Sequence, residues 1–435
     1  MLNKNDTLTV EITDINHMGL GVARDEDGGK VIFVRGGVTG DKLTVKVIKS
    51  ARDYCVARIE NIITPSFHRS EPECPTYSRC GGCVYGHISP EYEAELKYQR
   101  VKNEFRRVKI DDVEIRPLIT ARLRGYRNKL QCPVDENGNL GFYAEHSHRI
   151  VPIEGCSLQE GMLLPVFSYL QRYLKKTPIK TLRHIYIRCG VGSGEVMVCF
   201  VCTQRSFRGD KELAEKLISE YPEIKSVVLN YNPDNTNVVL GKECITLAGR
   251  EVIYDILCGL KFEIHPLSFY QVNHDCTELL YKTAAEFAQV SREDTLADLY
   301  CGIGTVGMCI NNITPAKKLI GVEIIPEAVE NARHNAQING IKNAEFYCAP
   351  AETAELPPAD VVVVDPPRKG CAPSLIEHLG KTTPAKIVYI SCSPDTLARD
   401  CAMLLKYGYK LGPVQPVNMF PGTAHVENVA MLRKN

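Results

Sequence analysis

From about Glu263 onward, short continuous apolar runs alternate with helical patterns, and this rhythm limits the possible folds more than any other feature of the chain. The runs are Thr295-Leu-Ala-Asp-Leu299, Lys318-Leu-Ile-Gly-Val322, Ala344-Glu-Phe-Tyr347, Val361-Val-Val-Val364 and Lys386-Ile-Val-Tyr-Ile390. A strand apolar on both faces must be covered on both faces, and the intervening helices supply that cover. A doubly wound, Rossmann-like α/β sheet is predicted for this part.

The rest of the chain reads differently. At 435 residues, two or three domains are expected. Residues 5–62 alternate with strand periodicity between glycine-rich turns, as in Thr7–Ile12, Val31–Val34, Leu43–Val47 and Cys55–Ile59. Short strands this closely spaced predict a small OB-like β-barrel that binds RNA or packs on its neighbour. Glu91–Lys109 reads as an amphipathic helix, and Arg116 to about Leu260 as a mixed α+β region. The division expected is 1–62 for the barrel, 63–90 with 117–260 for the central domain, and 91–116 with 261–435 for the α/β domain.

The 52 basic and 52 acidic residues cancel, which neither requires nor excludes nucleic acid, because a local patch sets that affinity. No basic segment followed by an apolar one opens the chain, and no apolar run nears the roughly 20 residues of a membrane helix. A cytoplasmic monomer is the expectation. Eighteen cysteines in such a compartment are not read as disulfides. Most, such as Cys189, Cys199, Cys202, Cys258 and Cys309, stand singly among apolar residues as small hydrophobes. Cys74, Cys80 and Cys83 stand apart by spacing, and Cys392 by its motif.

Asp298-Leu-Tyr-Cys-Gly-Ile-Gly-Thr-Val-Gly307 ends one predicted strand and opens a helix, with Gly302, Gly304 and Gly307 spaced Gly-x-Gly-x-x-Gly. Such glycines let a backbone turn sharply and come close to a ligand. Glu323 ends the next strand, where a carboxylate can hold both hydroxyls of a ribose. These features fit a dinucleotide or S-adenosylmethionine equally, so a hydride-transfer enzyme stays open here. Asp365-Pro-Pro-Arg368 narrows the choice. A dehydrogenase has no use for it, and Arg368 where amine-directed methyltransferases carry an aromatic disfavours an exocyclic amine.

Ser391-Cys-Ser-Pro-Asp-Thr-Leu-Ala-Arg-Asp400 follows the fifth strand directly. A thiol at a strand end just ahead of a helix is expected to have its thiolate favoured by backbone N–H groups. The bland alternative is a buried, inert loop thiol. His425-Val-Glu427 supplies a carboxylate further on. Thiolate, carboxylate and methyl donor together suit methylation of uracil C5, which is too weak a nucleophile unaided. Thiolate addition at C6 makes C5 enolate-like, and a base must then remove the C5 proton.

Taken together, Asp298–Gly307, Asp365–Arg368, Ser391–Asp400 and His425–Glu427 resemble the uracil-5 RNA methyltransferase family. Asn16-His-Met-Gly-Leu-Gly-Val-Ala-Arg24 resembles its TRAM barrel, and Tyr126–Lys129, Gly141–His148 and Ser268–Asn273 fit the same family. The TRAM-containing ribosomal RNA enzymes are most similar. The resemblance implies Cys392 as nucleophile and Glu427 as base. It also implies contacts to S-adenosylmethionine, or to the gap between it and uracil, from Gln271, Tyr300, Gly302, Gly304, Glu323 and Asp365. Thr305 and Pro350 depart from the asparagines common there, so those two contacts are not carried over.

Cys74, Cys80 and Cys83 supply three thiols within ten residues, with Cys156 73 positions beyond. Spacing alone leaves zinc and an iron–sulfur cluster open. The resemblance, including Ile153-Glu-Gly-Cys156, implies a [4Fe-4S] cluster on these four. Basic stretches at Lys97–Lys109 and Arg116–Lys129, the second carrying Tyr126, are candidate RNA contacts, with solvated charged faces as the alternative. A 23S rRNA target is expected over tRNA because barrel and cluster occur together, which is family analogy. An amine-directed methyltransferase and a non-catalytic RNA-binding module remain as competing functions.

Overall fold

The computed structural model describes residues 2–25, 29–145, 147–234, 236–354 and 357–434. The first unit is one six-stranded sheet of β1 (Thr7–Glu11), β2 (Asp14–Ile15), β3 (Gly21–Arg24), β4 (Val31–Arg35), β5 (Lys42–Ser50) and β6 (Tyr54–Thr64). Its order is β1-β5-β6-β4-β3-β2. Three register shifts between β5 and β6 bend it, and β1 comes against β3, so the sheet curls around Ile12, Ile32, Val34, Leu43 and Val45. Strands β2 and β3 lie outside the four runs read from the sequence pattern.

Helix α1 (Pro90–Arg107) follows, its N-terminus capped by Ser89. The next region has β7 (Lys129–Pro133), the hairpin β8 (Gly141–Tyr143) and β9 (Ile150–Pro152), and α2 (Leu163–Lys176). It continues with β10 (Leu182–Gly190), β11 (Glu195–Cys202), α3 (Asp210–Glu220), β12 (Ile224–Tyr231) and β13 (Glu243–Gly249). These form a five-stranded sheet in the order β13-β12-β11-β10-β7. Helices α2 and α3 bury Phe167, Leu170, Leu213 and Leu217 in the same apolar cluster as that sheet. The hairpin β14 (Ile253–Leu257) and β15 (Leu260–Ile264) leads on to the last unit.

There, α4 (His274–Ala288), β16 (Thr295–Leu299), α5 (Thr305–Ile313), β17 (Lys318–Glu323), α6 (Pro326–Ile338) and β18 (Ala344–Cys348) come first. They are followed by β19 (Val361–Val364), α7 (Pro373–Thr382), β20 (Lys386–Ser391), α8 (Pro394–Leu405), β21 (Tyr409–Val417) and β22 (Glu427–Lys434). The sheet order is β18-β17-β16-β19-β20-β22-β21. The five strands expected from the apolar runs are all present and parallel. The sheet is not parallel throughout, because β22 pairs antiparallel with both β20 and β21. Strand order reverses between β16 and β19, and the crevice at that switch point is where α/β sheets bind ligands. Helix α1, far away in sequence, packs on α8 and joins its core through Val101 and Phe105. Among the described residues no helix is long and apolar enough to cross a membrane.

Candidate active site

The crevice begins at the loop between β16 and α5, whose path is set by left-handed backbone at Tyr300 (φ 66°), Gly302 (φ 55°) and Gly304 (φ 84°). Tyrosine seldom adopts that conformation, so its place here is imposed by the surroundings. The Tyr300 hydroxyl donates to Glu352 Oε1 at 2.9 Å. A Cβ at Gly302 would meet nothing within 4 Å, which leaves that face of the loop open to a ligand. A Cβ at Gly304 would collide with Met308 Cε, and one at Gly307 would sit 2.9 Å from Asp298. The first glycine therefore faces the crevice, and the other two serve the packing of helix on strand.

Asp298 is 1% exposed and accepts the Gly307 N–H at 2.7 Å. Burial, with Asp365 and Glu323 nearby, pushes its carboxyl up to about 8. Glu323 closes β17 and accepts the Gly302 N–H at 3.1 Å through Oε2, while Oε1 takes the N–H groups of Ile324 and Ile325. Loop and carboxylate are thus joined directly to each other. Gln271 is half-buried in the segment before α4. Its carbonyl accepts Asn128 Nδ2 at 3.0 Å, and Asn128 N–H donates to Val272 O, so the Tyr126–Lys129 motif braces the Ser268–Asn273 motif.

Cys392 lies one residue beyond β20. The antiparallel register pairs Ser391 with Asn428, and continuing it by one position sets Cys392 beside Glu427. Asp365, just past β19, completes the group. Glu427 is 5% exposed, and burial with the neighbouring Asp365 raises its carboxyl to about 8, opposed by Arg368. Burial raises Asp365 to about 7. The expectation that backbone groups favour the Cys392 thiolate is corrected. A backbone hydrogen bond does act in that direction, but burial and the carboxylates of Glu427 and Asp365 outweigh it and hold the thiol at about 11.

Arg368 was read from the sequence only as a missing aromatic. In the structure its charge opposes the rise at both Cys392 and Glu427. Asp400, also overlooked, is fully buried and accepts the Tyr389 hydroxyl at 2.6 Å and the Cys371 N–H at 2.8 Å. It thereby ties the loop after Asp365 to β20 and α8. Thr305 Oγ1 shares a 3.2 Å hydrogen bond with the Tyr281 hydroxyl, and Pro350 O accepts the N–H groups of Thr353 and Ala354.

Cys74, Cys80, Cys83 and Cys156 line one cavity of about 790 Å³, together with Arg127 and Lys129. Burial and the other three thiols raise Cys83 to about 12. Among the described residues no three His, Cys, Asp or Glu side chains are gathered tightly enough to hold a metal ion. His146, in the motif Gly141–His148, lies outside the described residues.

Two expected RNA contacts are overturned. Lys97 is 1% exposed and bonded to Glu93, and Tyr126 is fully buried with its hydroxyl donating to Pro421 O at 3.1 Å. Neither can meet RNA. Arg106, Arg107, Lys109 and Arg124 remain on the surface.

Residues 2–59 match the TRAM domain family and residues 291–399 match a methyltransferase domain family. An uncharacterized RNA methyltransferase of Clostridium tetani is 39% identical over 99% of this chain and 97% of its own. One of Halalkalibacterium halodurans is 40% identical over 99% and 98%. A solved structure of a Pyrococcus abyssi tRNA (uracil-54, C5)-methyltransferase with S-adenosyl-L-homocysteine superposes with a TM-score of 0.80. It is 28% identical and covers 97% of this chain and 99% of its own. The chain is an S-adenosylmethionine-dependent RNA methyltransferase and belongs to the RNA uracil-5 methyltransferase family.

Proposed function

We propose that the enzyme methylates C5 of a uridine through a covalent bond between Cys392 and C6. The observation that carries this reading is the meeting of Cys392, Glu427 and Asp365 at the ends of β20, β22 and β19. S-adenosylmethionine supplies an electrophilic methyl group over the Gly302–Glu323 side of the crevice. The Cys392 sulfur, after giving its proton to water, adds to C6, and the electron pair released at C5 takes the methyl. Glu427, as carboxylate, removes the C5 proton. The C6–S bond then breaks and returns the electron pair to Cys392. Tyr300 and Gln271 are read as further contacts to the methyl donor, with Asp365 between donor and base.

The target is 23S rRNA in this reading, on the pairing of barrel and cysteine cluster. A tRNA target is the second reading, favoured by the likeness to the Pyrococcus abyssi tRNA enzyme. Nucleoside analysis of both RNAs after incubation with enzyme and donor tests this. 5-Methyluridine in one of them is expected; an amine-methylated base in its place overturns the reading.

The division at 62, 90, 116 and 260 is retained, and the packing of α1 on α8 supports giving 91–116 to the methyltransferase unit. The four cysteines are assigned to a [4Fe-4S] cluster in this reading, on the family likeness and on the one cavity that all four line, with zinc as the alternative. Such a cluster would tie Cys74–Cys83 to Cys156 and takes no part in the methyl transfer.

A further inference from the structure

Glu427 is delivered to the crevice by the connector 418–426 between β21 and β22, and the carbonyls of this connector are gripped one after another. Asn418 O is held by Cys276 Sγ at 3.3 Å and Met419 O by Asn273 Nδ2 at 3.0 Å. Pro421 O takes the Tyr126 hydroxyl, Gly422 O the Tyr85 N–H at 2.9 Å, and Ala424 O Arg100 Nη1 at 2.7 Å. At the centre is Lys97 of α1. Its three N–H donors match three acceptors: Glu93 Oε1 at 2.6 Å, Asn418 Oδ1 at 2.6 Å and Phe420 O at 3.1 Å. Glu93 in turn accepts the Gly422 N–H at 2.9 Å and Asn418 Nδ2 at 3.3 Å.

A buried ion pair adds little to stability compared with an apolar pair of the same volume, because desolvation offsets the attraction. What this pair supplies that apolar residues cannot is directional bonding to Asn418, Phe420 and Gly422 at once. We propose that Lys97 and Glu93 are positioning residues for catalysis: from α1 they fix the 418–426 connector in the conformation that seats Glu427 against the C5 proton of the substrate. The proposal rests on Glu427 being the base. Cys392 is carried by β20 and α8, outside the connector, so loosening the connector separates the two halves of the reaction. The C6–S bond still forms and the methyl is still transferred. The C5 proton stays in place, the thiolate cannot leave, and methylated RNA remains bonded to Cys392.

The experiment incubates wild type, Lys97→Met and Glu427→Gln with uridine-containing target RNA and methyl donor. Denaturing gels and intact mass then count protein bonded to RNA, and 5-fluorouridine RNA measures adduct formation separately. Glu427→Gln is expected to accumulate the methylated adduct. Lys97→Met is expected to do so as well, with release slowed up to roughly 100-fold by misplacement of the base. Its rate of trapping by 5-fluorouridine RNA stays unchanged. Should Lys97→Met fail to fold, Glu93→Gln makes the same test from a buried side chain of the same size, because it weakens the grip on Gly422 and Asn418. Trapping and turnover lost in equal proportion, or turnover like wild type, overturns the positioning role while Glu427→Gln still accumulates adduct. No adduct in Glu427→Gln overturns the base assignment itself, and the positioning role with it.

Discussion

Alanine at two neighbouring glycines of the β16–α5 loop separates a ligand-facing position from a packing position. Gly302 and Gly304 both have left-handed backbone, which costs an alanine about 1–2 kcal/mol. At Gly302 nothing lies within 4 Å of the added Cβ, so the backbone cost is the whole stability loss. At Gly304 the methyl displaces Met308 Cε and sits 3.3 Å from Phe346 and 3.4 Å from Ala332, adding about 1–3 kcal/mol of overpacking. For a unit of this size about 1 kcal/mol lowers Tm by roughly 2–4 °C. Gly302→Ala should then melt about 2–8 °C below wild type, and Gly304→Ala a further 2 °C or more below that. Affinity should move in the opposite order. The Gly302→Ala methyl projects into the open face of the crevice and should weaken S-adenosylhomocysteine binding by about tenfold or more, or 1.4 kcal/mol. Scanning calorimetry and titration calorimetry on the two variants measure both quantities. Unchanged affinity in Gly302→Ala, or a lower Tm for it than for Gly304→Ala, would refute the division of roles.

The release step should quicken with pH. Glu427 is held near 8 and Asp365 near 7, so both are mostly protonated under acidic conditions, and the base is lost as pH falls below about 8. Single-turnover release measured from pH 6 to 9 should rise; a flat profile contradicts the assignment. Asp298→Asn should stabilise the fold most at alkaline pH. A carboxyl raised from 3.8 to about 8 burdens the folded state only where the unfolded chain is ionised. The burden is absent below pH 3.8, grows as pH rises, and is complete above about 8, with an upper limit of about 6 kcal/mol. Urea titrations of both proteins at pH 5 and pH 8.5 should show the gap widening with pH, and a constant gap argues against a buried ionisable carboxyl. Anaerobically purified protein should be brown, with iron and acid-labile sulfide that Cys83→Ala and Cys156→Ala each remove; zinc without iron would sink the cluster.

The parallel core was legible because strands covered on both faces leave continuous apolar runs, as in Val361–Val364 and Lys386–Ile390. Strand β21 was not. Gly412, Pro413 and Pro416 interrupt its pattern, which an edge strand tolerates, and its register with β22 shifts between Leu411 and Val414. Cys392 and Glu427 were each legible as part of a family motif. Their adjacency depends on the pairing of β20 with β22, a long-range register that no local pattern encodes. Lys97 was misread for a related reason. Helical spacing puts it on one stripe with Val101 and Phe105, but a lysine there reads as solvated unless its acceptors are known, and Asn418 and Phe420 lie more than 320 positions away. The raised thiol at Cys392 has the same origin, since Glu427 and Asp365 come from other strands.

The central claim is the bond between Cys392 and C6, and 5-fluorouridine RNA tests it most directly, because fluorine at C5 leaves the base no proton to remove. With methyl donor present, a complex stable to denaturant should form, and peptide mass spectrometry should place the nucleotide on Cys392. Cys392→Ala should form none and turn over no substrate. An adduct on another residue, or normal methylation by Cys392→Ala, would contradict the account.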